Sequence, residues 1–243
     1  MSDYNSQTRT IPGSADMAVD AGLRGFMLGI YNKMGLGLLL SGVLAYVVGT
    51  TPALFSTLLT PPLAYGVMFG PLAILLITSF TMKNPSPVGA NLVYWSVVSL
   101  IGVGMGAIVF AYGRIPDGMT TVAKAFLITA ASFGALSLWG YTTKRDLTGM
   151  GTFLFMGVIG LIIASIVNMF VASSALSFAI SVIGVLIFAG LTAFDTQRLK
   201  FMYYQMGGDS RAMAVGTTYG ALSLYLDFIN MFMFILRLMS PRN

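Results

Sequence analysis

Residues 191–239 decide the fold. They read LTAFDTQRLK (191–200) and, after a polar connection, GALSLYLDFINMFMFILRLM (220–239). Each half has the length and apolarity of a membrane span, about 20 residues, yet each holds an aspartate, Asp195 and Asp227. A carboxylate at the bilayer centre costs roughly 2.5–3.5 kcal/mol even on lenient insertion scales, so intramembrane acids mark functional sites. At spacings of three and four, the helical face of Asp227 collects Gly216, Gly220, Ser223, Asp227, Asn230, Phe234 and Arg237. A lipid-facing helix would not gather its polar residues on one line, so this segment is expected near the centre of a bundle, with its apolar faces covered as well. Asp195 stands three residues before Arg198, at the expected end of the preceding span. By itself it reads as an interfacial ion pair of a few tenths of a kcal/mol. It meets Asp227 only if the last helix starts late, near Thr217, or if the sixth span continues past Arg198.

Composition sets the solvent. Of 243 residues, 56% are hydrophobic and only 9% charged, against about 25% charged in a soluble domain. The chain has neither cysteine nor histidine, and all its acids are aspartates. That excludes thiol nucleophiles, Ser–His dyads, disulfides and His/Cys zinc sites, and the expectation is a non-enzyme without a cofactor. The net charge of +5 sits mostly at span ends, where it suits lipid headgroups and not nucleic acid.

Seven apolar runs follow a polar tail at residues 1–23, which is expected to be mobile and lacks the pattern of a signal peptide. The spans are expected at about 31–48, 62–82, 87–112, 121–141, 153–171, 176–198 and 215–239. Residues 24–243 form one all-α membrane domain. Pro71 should kink the second span. The glycines of IGVGMGA (101–107), with Gly35, Gly37, Ser41 and Gly42 on the first span, suit close helix contact. GGDS (207–210) is turn chemistry. With the N-terminus in the cytoplasm, the inside segments hold Arg9, Arg24, Lys33, Lys83, Lys144, Arg145, Arg198, Lys200 and Arg211, and the outside ones Arg114, Lys124, Arg237 and Arg242. The bias predicts N-in and C-out. Arg237 and Arg242 argue the other way, for a cytoplasmic tail and six spans around a partly inserted seventh segment.

If the two carboxyls meet, they cannot both stay ionised in a low dielectric. They would share a proton and titrate as a pair. Protonated, the pair clamps two helices together; deprotonated, it repels them and opens a gap that attracts cations. Oxygens from Asp195, Asp227 and Asn230 suit a hard cation such as Ca²⁺, in a transient site and not a closed one.

FDTQ (194–197) and SLYLDFINMF (223–232) resemble the two motifs of the Bax inhibitor-1 family. Tyr31 and the MKNPSPVGA turn (82–90) match more loosely, and the likeness covers roughly 25–240. It implies six helices around a central seventh and a pH-sensitive calcium leak, as in bacterial members. It also implies gating by a hydrogen-bonded aspartate pair, here Asp195 and Asp227; the polar stripe adds Ser223 and Asn230, and the i,i+3 spacing adds Arg198, as supporting residues. The family's latching arginine after the second span corresponds to Lys83, which brings charge without the bidentate fork. The competing reading, also carried by the resemblance, is a non-enzymatic modulator of a membrane protease or stress-response assembly in a bacterial inner membrane. Two aspartates on adjacent spans also mark intramembrane aspartyl proteases, but their YD and GxGD motifs are missing. A retinal pump is excluded because the seventh span has no lysine for a Schiff base.

Overall fold

The computed structural model describes residues 21–82 and 84–240. The expected mobile tail at 1–23 therefore falls almost wholly outside the described residues, and Lys83, the expected latch, falls outside them too. The described chain is helical: α1 (Ala21–Thr50), α2 (Pro52–Leu58), α3 (Leu63–Thr81), α4 (Pro87–Tyr112), α5 (Gly118–Thr142), α6 (Thr148–Val171), α7 (Ser174–Met206) and α8 (Ser210–Met239). All but α2 are long and apolar enough to cross a membrane. The chain is an integral membrane protein of seven candidate spans.

Local chemistry explains several boundaries. Ser86 caps α4 by accepting from the amide of Gly89, with Pro87 at the first helical position. Ser173 accepts from Leu176 to open α7. The link between α7 and α8 is Gly207, Gly208 and Asp209. Both glycines have positive φ, which closes α7, and the Asp209 carboxyl accepts from the amides of Arg211 and Ala212 at 2.8 and 3.0 Å to open α8. The GGDS segment is indeed a turn. α3 continues through Pro71 as one helix.

Side-chain pairings fix the direction of each helix. Ser41 of α1 bonds the carbonyl of Val98 and the hydroxyl of Tyr225, at 3.0 and 2.7 Å. Lys33 reaches Asn91 and Thr218. α1, α4 and α8 therefore run parallel. α7 is antiparallel to α8: Leu199 faces Gly220, and Phe234 faces Gly184. α5 is antiparallel to α8, through the contacts of Phe126 with Phe232 and of Phe133 with Phe228. The start of α1 and the ends of α5 and α7 thus share one face of the bundle, while Tyr112 and Ser240 bond each other at the opposite face. α8 runs the full length of the bundle, so a partly inserted seventh segment is not what the chain builds.

α8 is the central helix. It packs against α1, α4, α5 and α7, while α3 lies chiefly on α4 and α6 on α7. Around it the apolar residues Leu222, Leu224, Tyr225, Phe228, Met231 and Phe232 are all buried. The small residues divide by role. A Cβ at Gly102 would lie 2.7 Å from the Cα of Ser41, and one at Gly106 would lie 2.8 Å from Val48, so α1 and α4 touch backbone to backbone. Gly104 faces Val67 on α3 instead, and Gly35 and Gly42 face open space.

Candidate functional site

The site lies where α7 crosses α8. The polar stripe of α8 is its face toward α7: Gly216 packs under Met206, Gly220 under Leu199, and Ser223 meets Asp195. Ser223 Oγ donates to Asp195 Oδ2. Arg198, one turn further along α7, sits 3.3 Å from Asp195 Oδ1 and donates to Ser223 Oγ at 3.2 Å. Asp195, Arg198 and Ser223 therefore form a closed triangle across two helices.

Asp195 is only 3% exposed, which corrects the expectation that it sits at a helix end. α7 runs on to Met206, eleven residues beyond it. Neither cation that reads as an interfacial stop ends the helix: the half-exposed Arg198 pairs with Asp195, and Lys200 is solvated by the protein. Lys200 is 3% exposed; its ammonium donates to the Tyr141 carbonyl and lies 5.0 Å from the centre of that ring. α7, at 33 residues, is about 50 Å long at 1.5 Å per residue. It outreaches a hydrocarbon core of about 30 Å.

Asp227 is 5% exposed, in the most buried helix of the bundle. Four residues separate it from Ser223, so it lies about 6 Å further along α8. Its Oδ2 and Asp195 Oδ1 are buried oxygens without a hydrogen-bond donor. No hydrogen bond joins the two carboxyls, but Asp227 feels the charges of both Asp195 and Arg198. Two carboxylates against one guanidinium leave one uncompensated negative charge in a low-dielectric interior. A single proton removes it, and so would a passing cation. Of the expected supporting residues, Ser223 and Arg198 join the site. Asn230 does not: its amide donates back to the Leu226 carbonyl at 2.8 Å. Among the described residues no group of three or more acids stands ready to hold a metal ion.

Sequence reasoning missed a second polar knot. Lys33 was expected among the cytoplasmic basic residues, at the very start of the first span; it lies twelve residues inside α1. Its ammonium donates to Asn91 Oδ1 at 2.5 Å and Thr218 Oγ1 at 2.7 Å, and it faces the Tyr94 ring at 5.6 Å. It thereby ties α1, α4 and α8 together. The signal was available: a lysine followed by an apolar run of span length, with Tyr31 two residues before it. Tyr31 itself contacts Ser137 at 2.5 Å, and Ser137 contacts Thr196 at 2.9 Å. This hydroxyl chain ends on the residue beside Asp195.

Comparison with known proteins agrees with this architecture. A family model described as inhibitor of apoptosis-promoting Bax1 matches residues 23–243. The chain belongs to the Bax inhibitor-1 family. Among similar proteins are an uncharacterized protein of Caulobacter vibrioides, 54% identical with 97% of each chain covered, and an uncharacterized protein of Rickettsia prowazekii, 40% identical over 100% of this chain and 99% of its own. The inner membrane protein YbhL of Escherichia coli is 38% identical, over 91% of this chain and 94% of its own. The family match takes in both quoted motifs, FDTQ on α7 and SLYLDFINMF on α8.

Proposed function

We propose that this Bax inhibitor-1 family member is a pH-sensitive leak for calcium and related cations, gated at the contact of α7 and α8. Its setting, by analogy with YbhL, is a bacterial inner membrane, and the bias of basic residues favours an N-terminus in the cytoplasm. The observation that carries the reading is the buried Asp227, with an undonated oxygen on the central helix. It stands one turn from the triangle of Asp195, Arg198 and Ser223. With one proton the cluster is neutral and α7 rests on α8. Without it the two carboxylates repel, and the undonated Asp227 Oδ2, with the Asp195 Oδ1 that Arg198 shares, offers a hard cation a transient foothold. The groups that face this cluster are Arg198 and Ser223; Lys33 and Lys200 are engaged elsewhere, by Asn91 with Thr218 and by Tyr141.

The sign follows from the charge. Flux should be low in acid, when the proton is held, and should rise with pH as the proton leaves. The test is Ca²⁺ entry into proteoliposomes across about pH 5 to 8, the range where a perturbed carboxyl pair can titrate. Asp227→Asn keeps the shape and removes the titration, and should flatten the curve. A flux that ignores pH, or an Asp227→Asn variant with the wild-type profile, would sink the proposal.

A further inference from the structure

A cleft of about 560 Å³ opens between α1 and α5. It is lined by Leu28, Phe133 and Leu138, by the hydroxyl pair of Tyr31 and Ser137, and by Arg24. Arg24 is exposed and makes no ion pair or hydrogen bond with the described residues. Among the described residues no acid lines the cleft. It opens at the bundle face where α1 begins and α5 and α7 end, the face that also carries Lys144, Arg145 and Arg198.

We infer that this cleft is a binding site for one anionic phospholipid, with the phosphodiester on Arg24 and an acyl chain between α1 and α5. The chemistry of each end selects it. A guanidinium with no partner among the described residues, near the end of a spanning helix, offers a fork of donors matched to phosphate oxygens. The apolar walls behind it accept what a free phosphate lacks, and basic pockets between spanning helices are the general form of anionic headgroup sites. Gly134 makes room for the chain: a Cβ there would meet nothing within 4 Å. A second cleft, of about 460 Å³ between α6 and α7, supplies the contrast. It has no charged residue in its lining, so any lipid can cover it without preference.

The site can be tested by native mass spectrometry of the full chain in detergent, titrated with phosphatidylglycerol or with phosphatidylcholine. Both lipids carry the phosphodiester, but the phosphatidylcholine ammonium offsets its charge, so phosphatidylglycerol should be retained roughly tenfold more tightly. Arg24→Gln should erase that preference. Gly134→Leu, which fills the cleft, should lower phosphatidylglycerol retention. Gly160→Leu, which projects into open space at the second cleft, should leave it unchanged. Helical circular dichroism checks that each variant is folded. Equal retention of the two lipids, a preference that survives Arg24→Gln, or equal loss in both leucine variants would overturn the assignment. Displacement of the lipid by inorganic phosphate alone would also overturn it, by making the acyl chain dispensable.

Discussion

Ser223 Oγ donates to Asp195 Oδ2, and this bond joins α7 to α8 one helical turn before Asp227. It serves the ionised form of Asp195, because a carboxylate accepts where a carboxylic acid must also donate. Ser223→Ala removes the donor and leaves a buried Oδ2 without its hydrogen bond, beside an Oδ1 held only by the ion pair with Arg198. The expected loss is about 1 kcal/mol of stability, between the small average of interhelical bonds in membranes and the larger value for bonds to charged groups. The same change should move the rise of cation flux to higher pH, since the ionised state has lost support. Thermal unfolding in detergent reads the first effect and the proteoliposome assay the second. A curve displaced to lower pH would contradict the role given to Ser223.

The Lys33 knot predicts an inequality. Lys33→Met removes the charge and leaves a chain of similar length; Thr218 keeps its bond to Ala214, and the Asn91 amide keeps its bond to Pro87. Asn91→Ala with Thr218→Val does the reverse and leaves an ammonium among apolar neighbours with only the Tyr94 ring beside it. Lys33 is half-buried, and removing the partners of a charge withdrawn from water costs more than replacing the charge. The double variant should therefore unfold more readily in denaturant than Lys33→Met. The opposite order would show that the lysine is solvated from the membrane surface.

The seven spans were legible because apolar length is a strong signal, and the centrality of α8 was legible because its polar residues repeat at three and four. The ends of the spans were harder to read. Arg198 and Lys200 look like a membrane boundary in sequence, yet one is drawn to Asp195 and Ser223 and the other to the Tyr141 carbonyl. A cation satisfied by distant parts of the chain cannot be told locally from one in water. The same reason hid the partners of Lys33, which stand 58 and 185 residues away. It also hid the bond of Ser223 to Asp195, which depends on the register of α7 against α8. Small residues show the same limit from the other side: Gly42 was expected at a close contact and faces open space.

Glycine substitutions should separate contact from exposure. At Gly140 on α5, a Cβ would run into the backbone carbonyl of Ala193 on α7. Backbone cannot rotate away, so Gly140→Ala should force the helices apart at a cost of about 1–3 kcal/mol. At Gly42 a Cβ meets nothing within 4 Å, and alanine gains up to about 1 kcal/mol of helix propensity. Melting temperatures in detergent should move in opposite directions. If Gly140→Ala melts like the wild type, α5 and α7 are less closely packed than described here.

The loop between α5 and α6 carries two restraints of different chemistry, and acid should release only one. The Asp146 carboxyl, fully exposed, accepts from the Thr148 amide at 2.8 Å, and its hydrogen bonds with Thr148 hold its pKa below the usual carboxylate value. A depressed folded pKa means stability that is present above the unfolded value and is lost as pH falls through the folded one. Next to it, Gln197 of the FDTQ motif accepts from the Leu147 amide and donates to the Arg145 carbonyl, both at 2.8 Å. A side-chain amide does not titrate. On acidification the protection of Thr148 against hydrogen exchange, corrected for the intrinsic rate, should fall while that of Leu147 holds. Asp146→Asn should make Thr148 insensitive to pH. Loss of protection at both amides together would mean that the loop detaches from α7 as a unit, and the two restraints would then not be independent.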